Sequence, residues 1–219
     1  MERHFDLELE ELKRTLLTMS GMVEEAINKA VSSLEHLSLE LANEVIESDT
    51  RIDQKENEIE EKTVAFIVRN QPVAKDLRLI IMVSHISNDL ERIADLAVDI
   101  AQRTLELVGQ PLIKPLIDIT KLASLAQKMI RESIESFVRL DGTLARTIRN
   151  QDDEANFLRN EVCQELTGIV VKDGSLAPRA IPLILVARHL ERICDHATNI
   201  AEDVVYVIEG KIIKHQQNS

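Results

Sequence analysis

Apolar residues recur every three or four positions along most of this chain. Val83, Ile86, Leu90, Ile93, Ala97 and Ile100 make one such series, and Val186, Leu190, Ile193, Ala197, Ile200 and Val204 make another. That period is the core stripe of an amphipathic helix, whereas a half-buried strand alternates every second residue. Breakers between the stripes are few. They are Pro72, then Gly109, Pro111 and Pro115, then Asp141-Gly142, and finally Lys172-Asp173-Gly174-Ser175 with Pro178. A softer break runs from Leu37 to Leu41, with a turn around Ser38. The pattern predicts an all-α protein with helices at about 3–36, 40–69, 73–108, 115–140, 143–171 and 179–209. Short connections make successive helices antiparallel neighbours.

The stripes repeat in detail. The stretch from Leu90 to Ala101 (LERIADLAVDIA) and that from Leu190 to Ala201 (LERICDHATNIA) are identical at eight of twelve positions, 100 residues apart. Further back, Leu41, Ala42 and Asp49 match Leu144, Ala145 and Asp152 at a spacing of 103. Met22, Glu25, Ile27 and Val31 match Met129, Glu132, Ile134 and Val138 at a spacing of 107. The slips fall at expected loops, so the repeating unit is three helices. Two such units, residues 1–110 and 111–219, predict tandem three-helix bundles related by a pseudo-two-fold.

Carboxylates recur with the repeat. Glu91 and Asp95 stand four apart on one helix face, away from the core stripe, and Glu191 and Asp195 do the same in the second unit. Asp99 and Asn88 flank the first pair; Arg188, Asn199 and Glu202 flank the second. Counting outward from the turn at Asn70-Gln71 sets Asp49 and Asp53 roughly opposite Glu91 and Asn88. The same count brings Asp152 and Asn156 towards the sixth helix, with a register uncertain by about a turn. Two like charges at i and i+4 repel, and a bound cation reverses the sign. An all-oxygen set suits magnesium, manganese, calcium or iron better than zinc. The alternative is a solvated acidic face in which Arg92 and Arg192 serve as ion-pair partners.

Other chemistry is thin. His189 and His196 edge the core stripe and have no counterparts in the first unit, which reads as packing or hydrogen bonding. Cys194 replaces Ala94 and reads as a small buried residue. No Glu-x-x-His, Gly-rich phosphate loop, serine nucleophile motif or His-Glu-x-x-His occurs.

Composition narrows the classes. Aromatic residues make up only 2% of the chain, with no Trp, which disfavours sheets. The formal charge of −12 argues against nucleic acid and against anionic lipid. Cys163 and Cys194 have no metal or redox spacing and fit a reducing, cytoplasmic setting. No apolar run approaches a membrane span, and the charged Met1–Asp6 start does not read as a signal peptide.

The sequence Leu190 to Asp203 (LERICDHATNIAED), with Val204-Val205-Tyr206 and Glu209-Gly210-Lys211, resembles the PhoU family. So do its first-unit partner Asp89–Ala101, the opening His4-Phe5-Asp6-x-Glu8-Leu9, and Gln71-Pro72-Val73-Ala74-x-Asp76-Leu77-Arg78. The resemblance spans essentially the whole chain. It implies two three-helix bundles side by side, with a metal-binding E(D)xxxD motif in each that holds iron or zinc in some members. That places ligands at Glu91, Asp95, Glu191 and Asp195. Asp49, Asp53, Asp99 and Asp152 join by geometry and by similarity to acidic family positions. Asn156 and Asn199 replace Asp53 and Asp99, so the second set should bind less charge. The resemblance further implies a homodimeric regulator without catalytic activity. It would damp uptake through the ATPase-driven phosphate ABC transporter and hold the associated sensor histidine kinase in its repressing state. Two readings compete: a metal-dependent enzyme or metal store, and a structural bundle with solvated acidic faces.

Overall fold

The computed structural model describes residues 2–210, with side chains from Phe5 onward. The His4 side chain, Lys211 and the remainder of the expected second unit lie outside it. The described residues form six α-helices: α1 (Glu2–His36), α2 (Leu39–Asn70), α3 (Ala74–Leu107), α4 (Ile117–Arg139), α5 (Gly142–Lys172) and α6 (Ala177–Glu209). All six stand within two residues of the expected bounds. One further element was not foreseen, a 3₁₀ turn at Gly174–Leu176. Asp173 pins it by accepting from the Ser175 backbone N–H at 3.0 Å and from its hydroxyl at 2.6 Å. Pro178, read as a breaker, instead lies in the first turn of α6, where a missing N–H leaves nothing unsatisfied.

The α1–α2 and α4–α5 corners are built alike. Leu37 and Leu140 both adopt the left-handed conformation, with φ of 50° and 51°. In each corner the next residue returns its N–H to the carbonyl five positions back, Ser38 to Ser33 and Asp141 to Ser136, both at 2.9 Å. That is a Schellman closure with leucine where glycine is usual. The residue that closes one helix then caps the next. Ser38 accepts from Leu41 N–H at 3.3 Å, and Asp141 Oδ1 accepts from Thr143 and Leu144 N–H at 2.9 and 3.0 Å.

Each repeat packs as a three-helix unit, and the two units face each other through α1 against α4 and α3 against α6. Between α1 and α4, Gln127 donates to Asn28 at 2.8 Å, Thr120 donates to Glu35 at 3.0 Å, and Arg131 lies 3.7 Å from Glu24. Between α3 and α6, His196 meets Asp89 at 2.8 Å, His189 meets Asp99 at 3.6 Å, and His85 meets Asp203 at 3.7 Å. In both sets, residue numbers rise on one helix as they fall on the other. The facing helices are therefore antiparallel, as a two-fold through the repeat requires. Beneath these polar edges, Leu90, Ile93, Ala97, Leu190, Ile193 and Ala197 are fully buried in one core shared by both repeats. Basic residues fasten the two ends of this pairing. Arg78 near the start of α3 packs over Gly210 at the end of α6, and Arg179 donates to the Pro111 carbonyl beyond α3 at 3.0 Å.

Candidate metal centres in the two repeats

The first cluster lies in the groove between α2 and α3. Asp49 and Asp53 project from α2, Glu91 and Asp95 from α3. Burial raises the Asp49 carboxyl above its usual range, and Asp53 and Asp95 push it further. Glu91 is also raised, chiefly by burial and then by Asp95, with Arg92 opposing and Glu56 and Asp53 adding to the shift. Arg92 sits 3.3 Å from Glu91 and 3.2 Å from Asp95, the ion-pair role expected of it. Glu91 Oε2 is shielded from solvent and accepts no hydrogen bond.

The register differs from the sequence count by about one helical turn. Asn88 donates at 3.2 Å to Glu56, not to Asp53, and Asp49 senses Asp95. The count centres the turn on Asn70-Gln71, whereas α2 stops at Asn70 and α3 starts at Ala74, which centres it on Pro72. Glu56 therefore joins the cluster, a residue the sequence reading passed over. Asp99 is drawn elsewhere: its carboxylate faces His189 across the α3–α6 groove at 3.6 Å. Burial lowers the His189 pKa against the pull of Asp99.

The second cluster lies between α5 and α6 and is built differently. Asn156 donates to Asp152 Oδ2 at 3.1 Å. Arg159 donates through Nη2 to Asn156 Oδ1 and to Glu191 Oε1, both at 2.9 Å. A connected chain of polar groups thus crosses the groove. Asp152 is raised by burial, then by Asp153 and Glu191. The Asp195 carboxyl still reaches solvent, yet surrounding protein, Glu191 and Asp152 push it up to about 6. Glu202 stands apart, 3.5 Å from Arg149. Arg159 too was missed, although the 103-residue spacing that pairs Asp49 with Asp152 also pairs Glu56 with Arg159.

Among the described residues, no three His, Cys, Asp or Glu side chains converge within ligating reach of one point as they stand. The first repeat nevertheless offers the donor set of a hard cation: carboxylate oxygens from two helices, Asp49 and Glu91 raised first by burial and then by their acidic neighbours, with one buried oxygen, Glu91 Oε2, that accepts no hydrogen bond and is met only by the Arg92 ion pair. The second repeat does not fit as it stands: Arg159 reaches across from α5 to bridge Glu191 and Asn156 from a mostly buried position where the first repeat has Glu56, whereas Arg92 pairs within its own helix with its side chain 56% exposed. Its thiols offer no alternative chemistry. Both cysteines are free, Cys194 is fully buried, and burial raises both thiols above their usual range.

Residues 16–104 and 119–204 each match the family model described as "PhoU domain". This chain belongs to the PhoU family. The two matches are the two structural repeats. The chain is 41% identical to the "Phosphate-specific transport system accessory protein PhoU homolog" of Aquifex aeolicus over 209 residues, 95% of each protein. It is 30% identical to the "Phosphate-specific transport system accessory protein PhoU" of Escherichia coli, over 96% of this chain and 88% of that one. The crystal structure of PhoU from Pseudomonas aeruginosa superposes with a TM-score of 0.91 at 37% identity, covering 94% of this chain and all of that one. The PhoU fold of six helices in two repeats is thus shared in full. No helix among the described residues is long and apolar enough to cross a membrane.

Proposed function

We propose that this PhoU protein is a negative regulator of phosphate uptake and of the phosphate-starvation response, without catalytic activity of its own. It acts as an adaptor in the cytoplasm, as a homodimer, between the ATPase subunit of a phosphate ABC transporter and a phosphate-sensing histidine kinase. One observation carries this reading: the match over nearly the whole chain to PhoU relatives named as accessory proteins of phosphate-specific transport. The side-chain chemistry is in keeping with it, since burial raises both thiols above their usual range and the exposed faces are long helical surfaces suited to docking.

In the first repeat, Glu91 and Asp95 with Asp49, Asp53 and Glu56 would hold a metal ion such as iron, manganese, magnesium or zinc. A bound ion supplies the positive charge that cancels their repulsion. The residues themselves tie α2 to α3: two helices present carboxylates to one groove, and Arg92 keeps the α3 pair in place. A stiffened α2–α3 hairpin then offers partners a fixed surface.

The test is a strain lacking the gene, grown with abundant phosphate. Induction of starvation genes or overaccumulation of phosphate is expected, and normal levels of both would overturn the regulatory reading. Pulldown of the intact protein should recover the kinase and the transporter ATPase, and recovery of neither would remove the adaptor role.

A further inference from the structure

The two grooves occupy equivalent places in the repeats, yet they carry different charge. The first gathers Asp49, Asp53, Glu56, Glu91 and Asp95 around a single guanidinium, that of Arg92. In the second, the equivalents are Asp152, Asn156, Arg159, Glu191 and Asp195, with Arg192 beside them. Two carboxylates have become an amide and a guanidinium. We infer that Arg159 is an internal cation standing in place of a metal ion in the second repeat, so that metal response in this protein is confined to the α2–α3 hairpin.

Geometry carries the inference. The Arg159 side chain is mostly buried, and the Glu191 side chain it meets is 16% exposed. Nη2 bridges Glu191 on α6 and Asn156 on α5 at 2.9 Å each, and Nη1 donates to Asn160 at 2.7 Å. Asn156 passes the connection on to Asp152. An ion placed between α5 and α6 would have to displace this guanidinium from Glu191, and would then face a positive charge a few ångströms away. At that distance two positive charges repel strongly near a protein surface, where water screens them only in part. A planar guanidinium also stays charged at every accessible pH, so the cation itself is not lost by titration. Arg159 links α5 to α6 at all times, whereas in the first repeat an ion would add to the link that the Asn88–Glu56 hydrogen bond and the buried core already make between α2 and α3. The second half of that statement rests on the metal reading proposed above; the first does not.

Manganese(II) binding to the full chain, measured by equilibrium dialysis with metal analysis at neutral pH, separates the two. In a Glu91→Gln/Asp95→Asn variant, the expected binding is nil. Adding Arg159→Glu, which installs the first-repeat residue, should restore binding with affinity raised roughly tenfold or more. Glu191→Gln in that background should abolish it. Arg159→Gln, a gentler change, should give a smaller gain if the Glu variant folds poorly, with circular dichroism and gel filtration checking the fold of each. Binding in Glu91→Gln/Asp95→Asn that depends on Glu191 would overturn the inference. So would a folded Arg159→Glu chain that gains no ion. If the unsubstituted protein binds nothing while Arg159→Glu gains an ion, the first-repeat metal reading falls and the role of Arg159 stands.

Discussion

At the scale of single residues, crowded carboxylates make the grooves sensitive to protons. Folded Asp195 keeps its proton up to about pH 6, against a usual value of 3.8. Between those values the folded state binds more protons than the unfolded one, so stability falls as pH rises through the window. Asp195→Asn removes the penalty. In melts with chelator present, the variant should have a higher Tm than the parent at pH 7.5 and nearly the same Tm at pH 3, below both pKa values. In the first repeat, Asp49 and Glu91 are also raised, so protons compete with a cation for the same oxygens. Manganese affinity measured by calorimetry should therefore weaken as pH falls from 7 towards 5, and an affinity independent of pH would argue against these ligands.

At the scale of helices and corners, the repeat conserves a device more than a sequence. Leu37-Ser38 and Leu140-Asp141 share no capping residue, yet both close one helix in the left-handed region and cap the next. Asp141 makes two capping bonds and Ser38 makes one. Asp141→Ala should cost about 1 kcal/mol in denaturant unfolding, and Ser38→Ala should cost less. Six helices and most of their bounds are legible in the sequence because Gly and Pro are scarce and the apolar period is unbroken. Pro178 misleads because it sits in the first turn of α6, where the helix needs no N–H from it. The α2–α3 register differs by about a turn because the chain reverses about Pro72 and not at Asn70-Gln71, which moves the partner of Asn88 from Asp53 to Glu56.

At the scale of the whole molecule, the repeats share one hydrophobic core. Leu90 and Leu190 both lie in it, fully buried on α3 and α6, the helices that face each other across the two-fold. The protein should therefore unfold in a single transition, with calorimetric and van't Hoff enthalpies equal. Leu90→Ala should cost about 2–5 kcal/mol and lower that one transition as a unit; two separated transitions would show that the repeats are independent. The polar edges of the pairing also explain the histidines. His189 and His196 lack counterparts in the first repeat because they are partners across the two-fold, meeting Asp99 and Asp89 of α3.

The sequence by itself determined the helices, their duplication and the pairs Glu91–Asp95 and Glu191–Asp195, because these depend on local period and on spacing within one helix. Only the tertiary structure decided which carboxylates share a groove. It brought Glu56 to Asn88, turned Asp99 towards His189 and set Arg159 against Glu191. These are contacts between helices. They depend on where loops end, how far α2 and α5 slide along their neighbours, and how far a long side chain reaches, and none of these is written in the period of a single helix.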